Sequence, residues 1–489
     1  MALRAAIAME AQFRITSELF ERLKSVVFSR YPRKEWATFM TFGFRQTKDA
    51  LVITVVDLIA PEAGDLNPAV SNVQFEAQYS VRAALEVEKG PLCIGVIHSH
   101  PQDFFTSPST IDDDMDSYYQ DYFEGFTKSA CYASLIFALK KDGSFSFSGR
   151  GVLDGEPFRV TKILVVGRGA ITSFRPTAPS VRRPETERLE QVYGKEARER
   201  LQNTTVTIVG CGGTGSAVAH TLARAGVQKY ILVDYDRFED SNLERLHGSS
   251  AADVAAREKR YKVEIVKDLI LAISPTATVI PIVGNILQTL PRDYAVASDL
   301  IVCCTDSAHG RVGVSELAYR YLVPAIDIGV QLDSEHRKVR AEVGQFTMYS
   351  PDLPCAYCRY LIDARQLSIE LMSDAEREAR KQEAMEAAAR GDDADQYWVN
   401  LPELHTVGHL TTLAAALAAT YGIGWLTAKF RSPATSFQFD LLQDNLGYVP
   451  VEMDKHQDCT CATRIGYADQ GTAYAVISAP EHWPEAKVL

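Results

Sequence analysis

The hydrophobic positions along the first third of the chain follow the pattern of a sheet with helices packed beside it. Short apolar runs, such as those at 51–60 and 93–98, alternate with two segments, near 17–28 and 73–88, that read as helices. We therefore predict an α/β or α+β domain over residues 1–165, built on a mixed sheet with flanking helices.

A different pattern begins after residue 204, where apolar runs alternate with segments of helical periodicity. Runs that read as strands stand at 205–210, 229–234, 300–306 and 323–329. The segment SAVAHTLARAGV (216–227) between the first two reads as a helix. This alternation is typical of a parallel, doubly wound sheet, so we predict a Rossmann-like α/β domain over 188–489.

Two segments interrupt these patterns. Residues 166–187 are polar and rich in proline and arginine, and they are predicted to be the linker between the two domains. Residues 362–398 are rich in alanine, glutamate and arginine, which indicates a solvated helix or a mobile crossover.

Net charge and composition limit the kinds of molecule that this protein could bind. The formal net charge of −12 argues against nucleic acid as the main partner, because phosphate binding requires a basic surface. No signal peptide or polybasic anchor is evident, and the apolar run at 410–426 is short for a bilayer span, so we expect a buried or interface helix there. Nine cysteines without a signal peptide favour a reducing, cytoplasmic environment and metal binding over disulfides.

A glycine-rich loop lies between the first predicted strand and helix of the second domain. In VGCGGTG, Gly210, Gly212 and Gly215 have the spacing G-x-G-x-x-G, which lets the backbone and a helix N-terminus approach phosphates. Asp234, nineteen residues after Gly215, suits a ribose hydroxyl. The loop alone does not separate an ATP site from a nicotinamide site.

The polar residues farther along favour ATP. The polar side chain comes from Asn242, and the two cations come from Arg245 and Lys262. A carboxylate, that of Asp306, follows the end of a predicted strand. Two cations neutralise a polyphosphate and a carboxylate can hold Mg²⁺, whereas hydride transfer needs no such set. We therefore predict an ATP and Mg²⁺ site.

Residues 185–465 resemble the ThiF/MoeB-type activating enzymes of ubiquitin-like proteins. The resemblance rests on the glycine loop, the D-x-D-x4-S-N-L-x-R run that starts at Asp234, Lys262 and the C-T-D triplet that ends at Asp306. It implies ATP-dependent adenylation of the C-terminal glycine of a small β-grasp protein, by a homodimer formed through this domain.

The resemblance also implies roles for single residues. Asp234 would hold the ribose, Asn242, Arg245 and Lys262 would address the triphosphate, and Asp306 would bind Mg²⁺. The family uses a further arginine before the first strand, but Arg188 stands in ERLEQVYG, which does not match that motif cleanly.

Four cysteines form two close pairs that suit structural zinc. Cys355 and Cys358 make C-A-Y-C, and Cys459 and Cys461 make C-T-C about a hundred residues later. No cysteine occurs between 359 and 458, where relatives that form a thioester carry their nucleophile. We expect structural Zn²⁺ and no thioester on this crossover.

A second candidate metal site lies in the first domain, in GVIHSHPQDFFTSPSTIDDD (95–114). His98 and His100 alternate on a predicted strand, so both side chains face the same way, and a carboxylate from the next turn would complete three ligands for a catalytic Zn²⁺. A nearby glutamate would then take a proton from an activated water.

This stretch resembles the JAMM (JAB/MPN-type) metalloproteases over residues 10–150. The resemblance implies that His98, His100 and Asp112 bind zinc, that Ser109 steadies the oxyanion and that Glu35 is the general base. The spacing from His100 to Asp112 is one residue longer than usual, which indicates an insertion in QDFFTSP and leaves Asp113 open as an alternative ligand.

Together, the two resemblances imply two enzymes that act on one substrate, the C-terminal tail of a ubiquitin-like protein. The protease would expose or release the tail and the second domain would adenylate it for a conjugating enzyme or a sulfur donor. Two alternatives remain: activation of a sulfur carrier for the biosynthesis of a cofactor or metabolite, and a non-catalytic scaffold that binds a ubiquitin-like protein.

Overall fold

The computed structural model of the 489-residue chain describes residues 9–30, 34–48, 50–68, 73–101, 105–175, 181, 183–393, 406–471 and 477–489.

In the part of the N-terminal domain that the structure describes there are ten strands and three α-helices. The strands are Met9–Thr16 (β1), Ala37–Gln46 (β2), Leu51–Ile59 (β3), Leu66–Pro68 (β4), Val73–Phe75 (β5), Cys93–Ser99 (β6), Cys131–Leu139 (β7), Phe145–Leu153 (β8), Glu156–Val166 (β9) and Ile171–Phe174 (β10). The helices are Ser17–Val27 (α1), Ala77–Glu88 (α2) and Thr110–Glu124 (α3).

Eight of these strands form one mixed sheet, in the order β1-β3-β2-β6-β7-β8-β9-β10, and β9 also pairs with β1. Strands β4 and β5 form a separate hairpin. The alternating apolar residues of the sheet build its core, in which Phe13, Phe42 and Leu135 have no exposed surface. This is the mixed sheet with flanking helices that the hydrophobic pattern predicted.

The C-terminal domain contains nine strands and eleven α-helices among the described residues. The strands are Thr205–Val209 (β11), Lys229–Val233 (β12), Thr278–Val283 (β13), Leu300–Cys303 (β14), Ala325–Glu335 (β15), Lys338–Tyr349 (β16), Ser436–Asp440 (β17), Val449–Pro450 (β18) and Lys487–Val488 (β19). The helices are Glu187–Tyr193 (α4), Lys195–Asn203 (α5), Gly213–Arg224 (α6), Ala251–Ala255 (α7), Lys262–Ile273 (α8), Thr289–Val296 (α9), Ala308–Arg320 (α10), Ala364–Glu370 (α11), Asp374–Arg390 (α12), Gly408–Thr427 (α13) and Thr460–Thr463 (α14).

The centre of this sheet is parallel and doubly wound. Its order is β18-β17-β16-β15-β14-β11-β12-β13-β19, with parallel pairing from β15 through β14, β11 and β12 to β13. After β13 the chain returns to the other side of β11, so a topological switch point lies between β11 and β14. Ligands bind at the carboxyl ends of the strands at such a point.

The segment predicted as a linker is partly built into the fold. Within 166–187, β10 pairs with β9 as an antiparallel edge strand, and Pro184–Thr186 forms a 3₁₀ helix. Residues 176–180 and 182 lie outside the described residues. The break between the domains is therefore shorter than the predicted 166–187, because the apolar residues of β10 pack in the core.

Helix α13 contains the apolar run at 410–426. By length and composition it is apolar enough to cross a membrane, but most of its most apolar stretch is buried inside the protein. Ala414, Ala415 and Ala418 lie in the core of the C-terminal domain, where they pack against α6. The small side chains allow the two helices to approach closely.

The two domains share a continuous interface. Leu164, Val166 and Ile171 of the N-terminal domain lie in the core of the C-terminal domain, and the indole nitrogen of Trp425 donates a hydrogen bond to the Gly167 carbonyl at 2.9 Å. A second contact joins β2 to the segment after the cysteine pairs, where the amide of Phe44 donates to the side chain of Gln470 at 2.6 Å.

Candidate functional sites

The glycine loop between β11 and α6 forms the floor of a cavity of about 440 Å³ at the switch point. Gly210 has a φ of +87°, a conformation that favours glycine. A Cβ on Gly215 would lie 1.9 Å from the Gly210 carbonyl oxygen, so this position also requires glycine. Strand β11 is thereby brought close to α6, as the G-x-G-x-x-G spacing predicted.

The N-terminus of α6 opens into this cavity. Its N-cap, Gly212, carries no capping side chain, and a Cβ on Gly212 would meet open space. The first amides of the helix are therefore available to a ligand, and the helix dipole places partial positive charge there. This arrangement fits a polyphosphate.

Asp234 lies at the end of β12, where the ribose of a nucleotide binds in this class of fold. Its two carboxylate oxygens accept hydrogen bonds from the amides of Cys211, at 2.6 Å, and Asp236, at 2.8 Å. Burial, together with the charge of Asp236, raises the pKa of Asp234 to about 6. The carboxylate is thus held in place by the glycine loop itself.

Three more predicted side chains line the same cavity: Asn242, Arg245 and Lys262. Lys262 begins α8 and donates to the Asp236 carboxylate at 2.7 Å. Burial lowers the pKa of its ammonium group, but the carboxylates of Asp234 and Asp236 outweigh burial and raise it. Lys262 therefore remains a cation at the cavity wall.

Arg245 follows the 3₁₀ helix Asp240–Glu244, whose fold is set by Asn242. The side-chain oxygen of Asn242 accepts from the Glu239 amide at 3.1 Å, which leaves its NH₂ group for other partners. A Cβ on Gly213 would lie 3.2 Å from the Arg245 Cβ, so Arg245 is packed against the glycine loop.

Asp306 lies just beyond β14 on the opposite wall of the cavity, where its carboxylate suits Mg²⁺. Arg311, one turn into α10, lines the cavity as well, and its role was not predicted from the sequence. The sequence did contain a signal for this role, because Arg311 stands five residues after Asp306, at the start of the helix that follows a central strand. The structure brings all these polar side chains to one cavity.

The histidine stretch builds a second cluster in the N-terminal domain. His98 is the next-to-last residue of β6, which ends at Ser99, and His100 directly follows the strand, so only His98 of the two histidines lies on it. The His98 Nε2 lies 3.1 Å from one oxygen of Asp112, and the His100 Nε2 lies 3.6 Å from the other. These three side chains are buried and close enough to share one metal ion.

His98 has the surroundings of a metal ligand. Its side chain is 1% exposed, and within the described residues its Nδ1 has no hydrogen-bond partner while its Nε2 faces the Asp112 carboxylate. Burying an imidazole with so few polar contacts is costly, and a metal ion at Nε2 would be shared with that carboxylate. The ring of His100 is held in place on the side away from Asp112, because its Nδ1 lies 2.7 Å from the Phe105 carbonyl oxygen.

Ser109 and Asp112 together begin α3. The Ser109 hydroxyl accepts from the Asp112 amide at 3.2 Å and the Asp112 carboxylate accepts from the Ser109 amide at 2.6 Å, which makes a capping box. The Ser109 hydroxyl also donates to that carboxylate at 2.8 Å. Ser109 therefore orients the carboxylate in this structure. Asp113, the alternative ligand, points away, since its exposed carboxylate pairs with Arg150 at 2.5 Å.

Glu35 lies two residues before β2, whose Ala37 pairs with His98. The carboxyl group of Glu35 is buried, and the charges of His98, His100 and Asp112 all act on it. Burial raises the pKa of Glu35, although the two histidines oppose the shift. A carboxyl group of raised pKa beside a metal site suits a general base.

The cysteine pairs meet in a third cluster. The Cys355 sulfur lies 3.6 Å from that of Cys459, the Cys358 sulfur lies 3.6 Å from that of Cys461, and all four thiols are free. The four sulfur atoms are close enough to bind one ion. Four thiols at these separations, without a disulfide, fit tetrahedral Zn²⁺.

The parallel doubly wound sheet, with its glycine loop and polar cavity at the switch point, defines the C-terminal domain as a nucleotide-binding α/β domain. The chain belongs to the ThiF family, whose sequence pattern matches residues 186–461.

Curated relatives match within this region. The chain is 31% identical over 163 residues to the molybdopterin-synthase adenylyltransferase of Salmonella typhimurium, a match that covers 33% of this chain and 61% of that protein. It is 36% identical over 126 residues to the ubiquitin-like modifier-activating enzyme 5 of Drosophila persimilis, covering 24% of this chain and 32% of that protein. The chain thus spans less than two thirds of these relatives.

Among solved structures, the chain is similar to Escherichia coli MccB with ATP. The TM-score is 0.41 and the identity is 21%, over 57% of this chain and 74% of that one.

Proposed function

We propose that the C-terminal domain adenylates the C-terminal carboxylate of a small ubiquitin-like or sulfur-carrier protein. The observation that carries this proposal is the single cavity in which the open N-terminus of α6, Lys262, Arg245 and Asp306 converge. The names of the relatives, a molybdopterin-synthase adenylyltransferase and a ubiquitin-like modifier-activating enzyme, support the same chemistry.

In the proposed reaction, a carboxylate oxygen of the tail attacks the α-phosphorus of ATP, and the bond from that phosphorus to the bridging oxygen of pyrophosphate breaks. Asp234 holds the ribose, and the amides of the glycine loop hold the phosphates. Lys262 and Arg245 neutralise charge that develops on the phosphate oxygens. Asp306 would hold Mg²⁺, which would shield the triphosphate from the incoming carboxylate.

We further propose that the N-terminal domain is a zinc-dependent peptidase or isopeptidase acting on the same tail. The buried cluster of His98, His100 and Asp112, whose ligand atoms are close enough to hold one ion, supports this proposal, together with the position of Glu35 beside the cluster. A bound Zn²⁺ would lower the pKa of a water molecule and polarise the scissile carbonyl. Glu35 would take the proton of that water and pass it to the leaving amine.

The activated tail would leave the enzyme on an external acceptor. No cysteine occurs between 359 and 458 of the sequence, so the crossover offers no thiol for a covalent intermediate. We propose that a thiol of a conjugating partner, a sulfide donor or an amine attacks the acyl-adenylate and releases AMP.

One experiment tests both activities. A small β-grasp protein with residues added after its Gly-Gly end is incubated with the enzyme, ATP, Mg²⁺ and Zn²⁺, and intact masses are measured. Trimming removes the added residues, and adenylation adds the mass of AMP. A scaffold without catalysis would change neither mass, and this result would overturn both proposals.

Matched variants separate the two sites. Lys262→Ala should abolish only the AMP adduct, whereas Lys267→Ala, on the same helix and outside the cavity lining, should not. Glu35→Gln should abolish only trimming, whereas Glu88→Gln, an exposed carboxylate of α2, should not. Loss of both activities in either active-site variant would contradict two separate sites.

A further inference from the structure

The C-terminal segment 477–489 lies outside the region that matches the ThiF family, yet it packs against the nucleotide-binding sheet. Strand β19 pairs with β13, and the Leu489 amide donates to the Pro281 carbonyl at 3.0 Å. The side chain of Gln288 donates to the Pro484 carbonyl at 2.6 Å. These hydrogen bonds hold residues 484–489 beside the carboxyl end of β13.

Residues of this segment line a second cavity, of about 1000 Å³, beside the cavity at the glycine loop. The cavity is lined by Trp483, Pro484 and Glu485 of this segment and also by Tyr235, Gly284 and Asn285. Asp306 lines both cavities, so the two are neighbours at one strand end.

The base of a bound nucleotide would enter this second cavity. The ribose is expected at Asp234, at the end of β12, and in a doubly wound fold the base extends from the ribose past the ends of the neighbouring strands. Tyr235 directly follows Asp234, and Gly284 directly follows β13. Both residues line the first cavity as well as the second, so the two cavities meet beside the expected ribose position, and a base that extends past β12 and β13 leads toward Trp483.

Trp483 rests on a rigid support. Its ring lies 5.1 Å from the ring of His309, which is 4% exposed. One ring nitrogen of His309 lies 2.7 Å from the Glu370 carboxylate and the other 2.6 Å from the Asn285 amide nitrogen. The indole is therefore positioned by a buried network that reaches the first helix of the crossover, α11.

We propose that the C-terminal segment forms the outer wall of the base end of the nucleotide site, and that Trp483 packs its indole against the nucleobase. This inference rests on the proposed binding of ATP in the neighbouring cavity. Flat aromatic rings stack on one another favourably, so the segment would add affinity for the base of ATP and none for its phosphates.

Binding of Mg²⁺–ATP to the full chain, measured by calorimetry without any partner protein, tests the inference. Trp483→Ala should raise the Kd for ATP roughly 3- to 10-fold, as expected for loss of one aromatic contact. Trp483→Phe should bind nearly as well as the wild type. Inorganic tripolyphosphate, which has no base, should bind all three proteins equally, and Tyr360→Ala, an exposed aromatic elsewhere, should leave both affinities unchanged.

Intrinsic fluorescence gives a second readout. ATP should quench tryptophan emission in the wild type and not in Trp483→Phe, which keeps the ring but not the indole. Unchanged ATP affinity in Trp483→Ala, or an equal loss for tripolyphosphate, would overturn the inference while leaving the adenylation proposal in place. A wild-type protein that binds no ATP would overturn both.

Discussion

The ammonium group of Lys162 in the N-terminal domain forms an ion pair with the carboxylate of Asp299 in the C-terminal domain, and the two side chains are 4% and 3% exposed. Arg175 also contacts this carboxylate, at 3.3 Å, and buried Arg14 donates to the Ser298 carbonyl beside it. Two cations thus contact one carboxylate where the domains join, and a third lies beside them.

This surplus of buried positive charge predicts a pH dependence of stability. Burial lowers the pKa of Lys162 from an ordinary 10.5 to about 7, although Asp299 opposes the shift. Between these values the unfolded chain binds a proton that the folded chain does not, so the free energy of unfolding should rise with pH. Below pH 7, Lys162 is protonated in both the folded and the unfolded chain, so the full free-energy cost of burying its charge lowers the stability of the fold.

The measurement is the melting temperature from pH 7 to pH 9. We expect the wild type to gain stability over this range and Lys162→Met to gain less. Lys140→Met, which removes an exposed lysine, should behave as the wild type. Identical pH profiles for the wild type and Lys162→Met would contradict a neutral Lys162 in the folded state.

The glycine loop predicts opposite results for two alanine substitutions. Gly215→Ala places a Cβ 1.9 Å from the backbone oxygen of Gly210, which cannot move without displacing the loop, so we expect a loss of about 1–3 kcal/mol of stability and much weaker ATP binding. Gly212→Ala places its Cβ in open space and should retain the wild-type melting temperature. Equal stability of the two variants would show that the loop is not packed as described.

The cysteine cluster predicts a bound zinc ion that stabilises the C-terminal domain. Cys355→Ser should contain one fewer zinc ion than the wild type by elemental analysis and should melt at a lower temperature, because three thiolates remain where four close the site. Cys304→Ser, outside the cluster, should retain the full zinc content. Full zinc content in both variants would exclude this site.

The helix α3 predicts different effects for two adjacent aspartates. Asp112→Ala should remove the metal from the histidine cluster and abolish trimming, because its carboxylate lies against both His98 and His100. Asp113→Ala loses only an exposed ion pair with Arg150, so zinc content and trimming should persist. The reverse result would assign the ligand to Asp113 and would require α3 to begin one residue later.

Local patterns in the sequence were sufficient for the elements that depend on near neighbours. The apolar runs at 205–210 and 229–234 correspond to β11 and β12, and the glycine spacing places a tight turn between β11 and α6. Segments of this kind are set by side-chain periodicity and by the backbone freedom of glycine, both of which are visible in a few consecutive residues.

Long-range packing decided the rest. The choice between Asp112 and Asp113 depends on which carboxylate lies against His98 and His100, because the aspartates are adjacent in the sequence and equivalent in composition. The position of Trp483 depends on the pairing of β19 with β13, about two hundred residues apart, and no local pattern encodes that partner.

The sequence by itself determined the chemistry available to this protein: a phosphate-binding loop with cations, four thiols in two pairs, and two histidines with nearby carboxylates. Only the tertiary structure decided which side chains meet. It brought Lys162 to Asp299 across the domain boundary and set Trp483 beside the nucleotide cavity. The physical reason is that side-chain type is a property of one residue, whereas proximity depends on the packing of whole strands and helices.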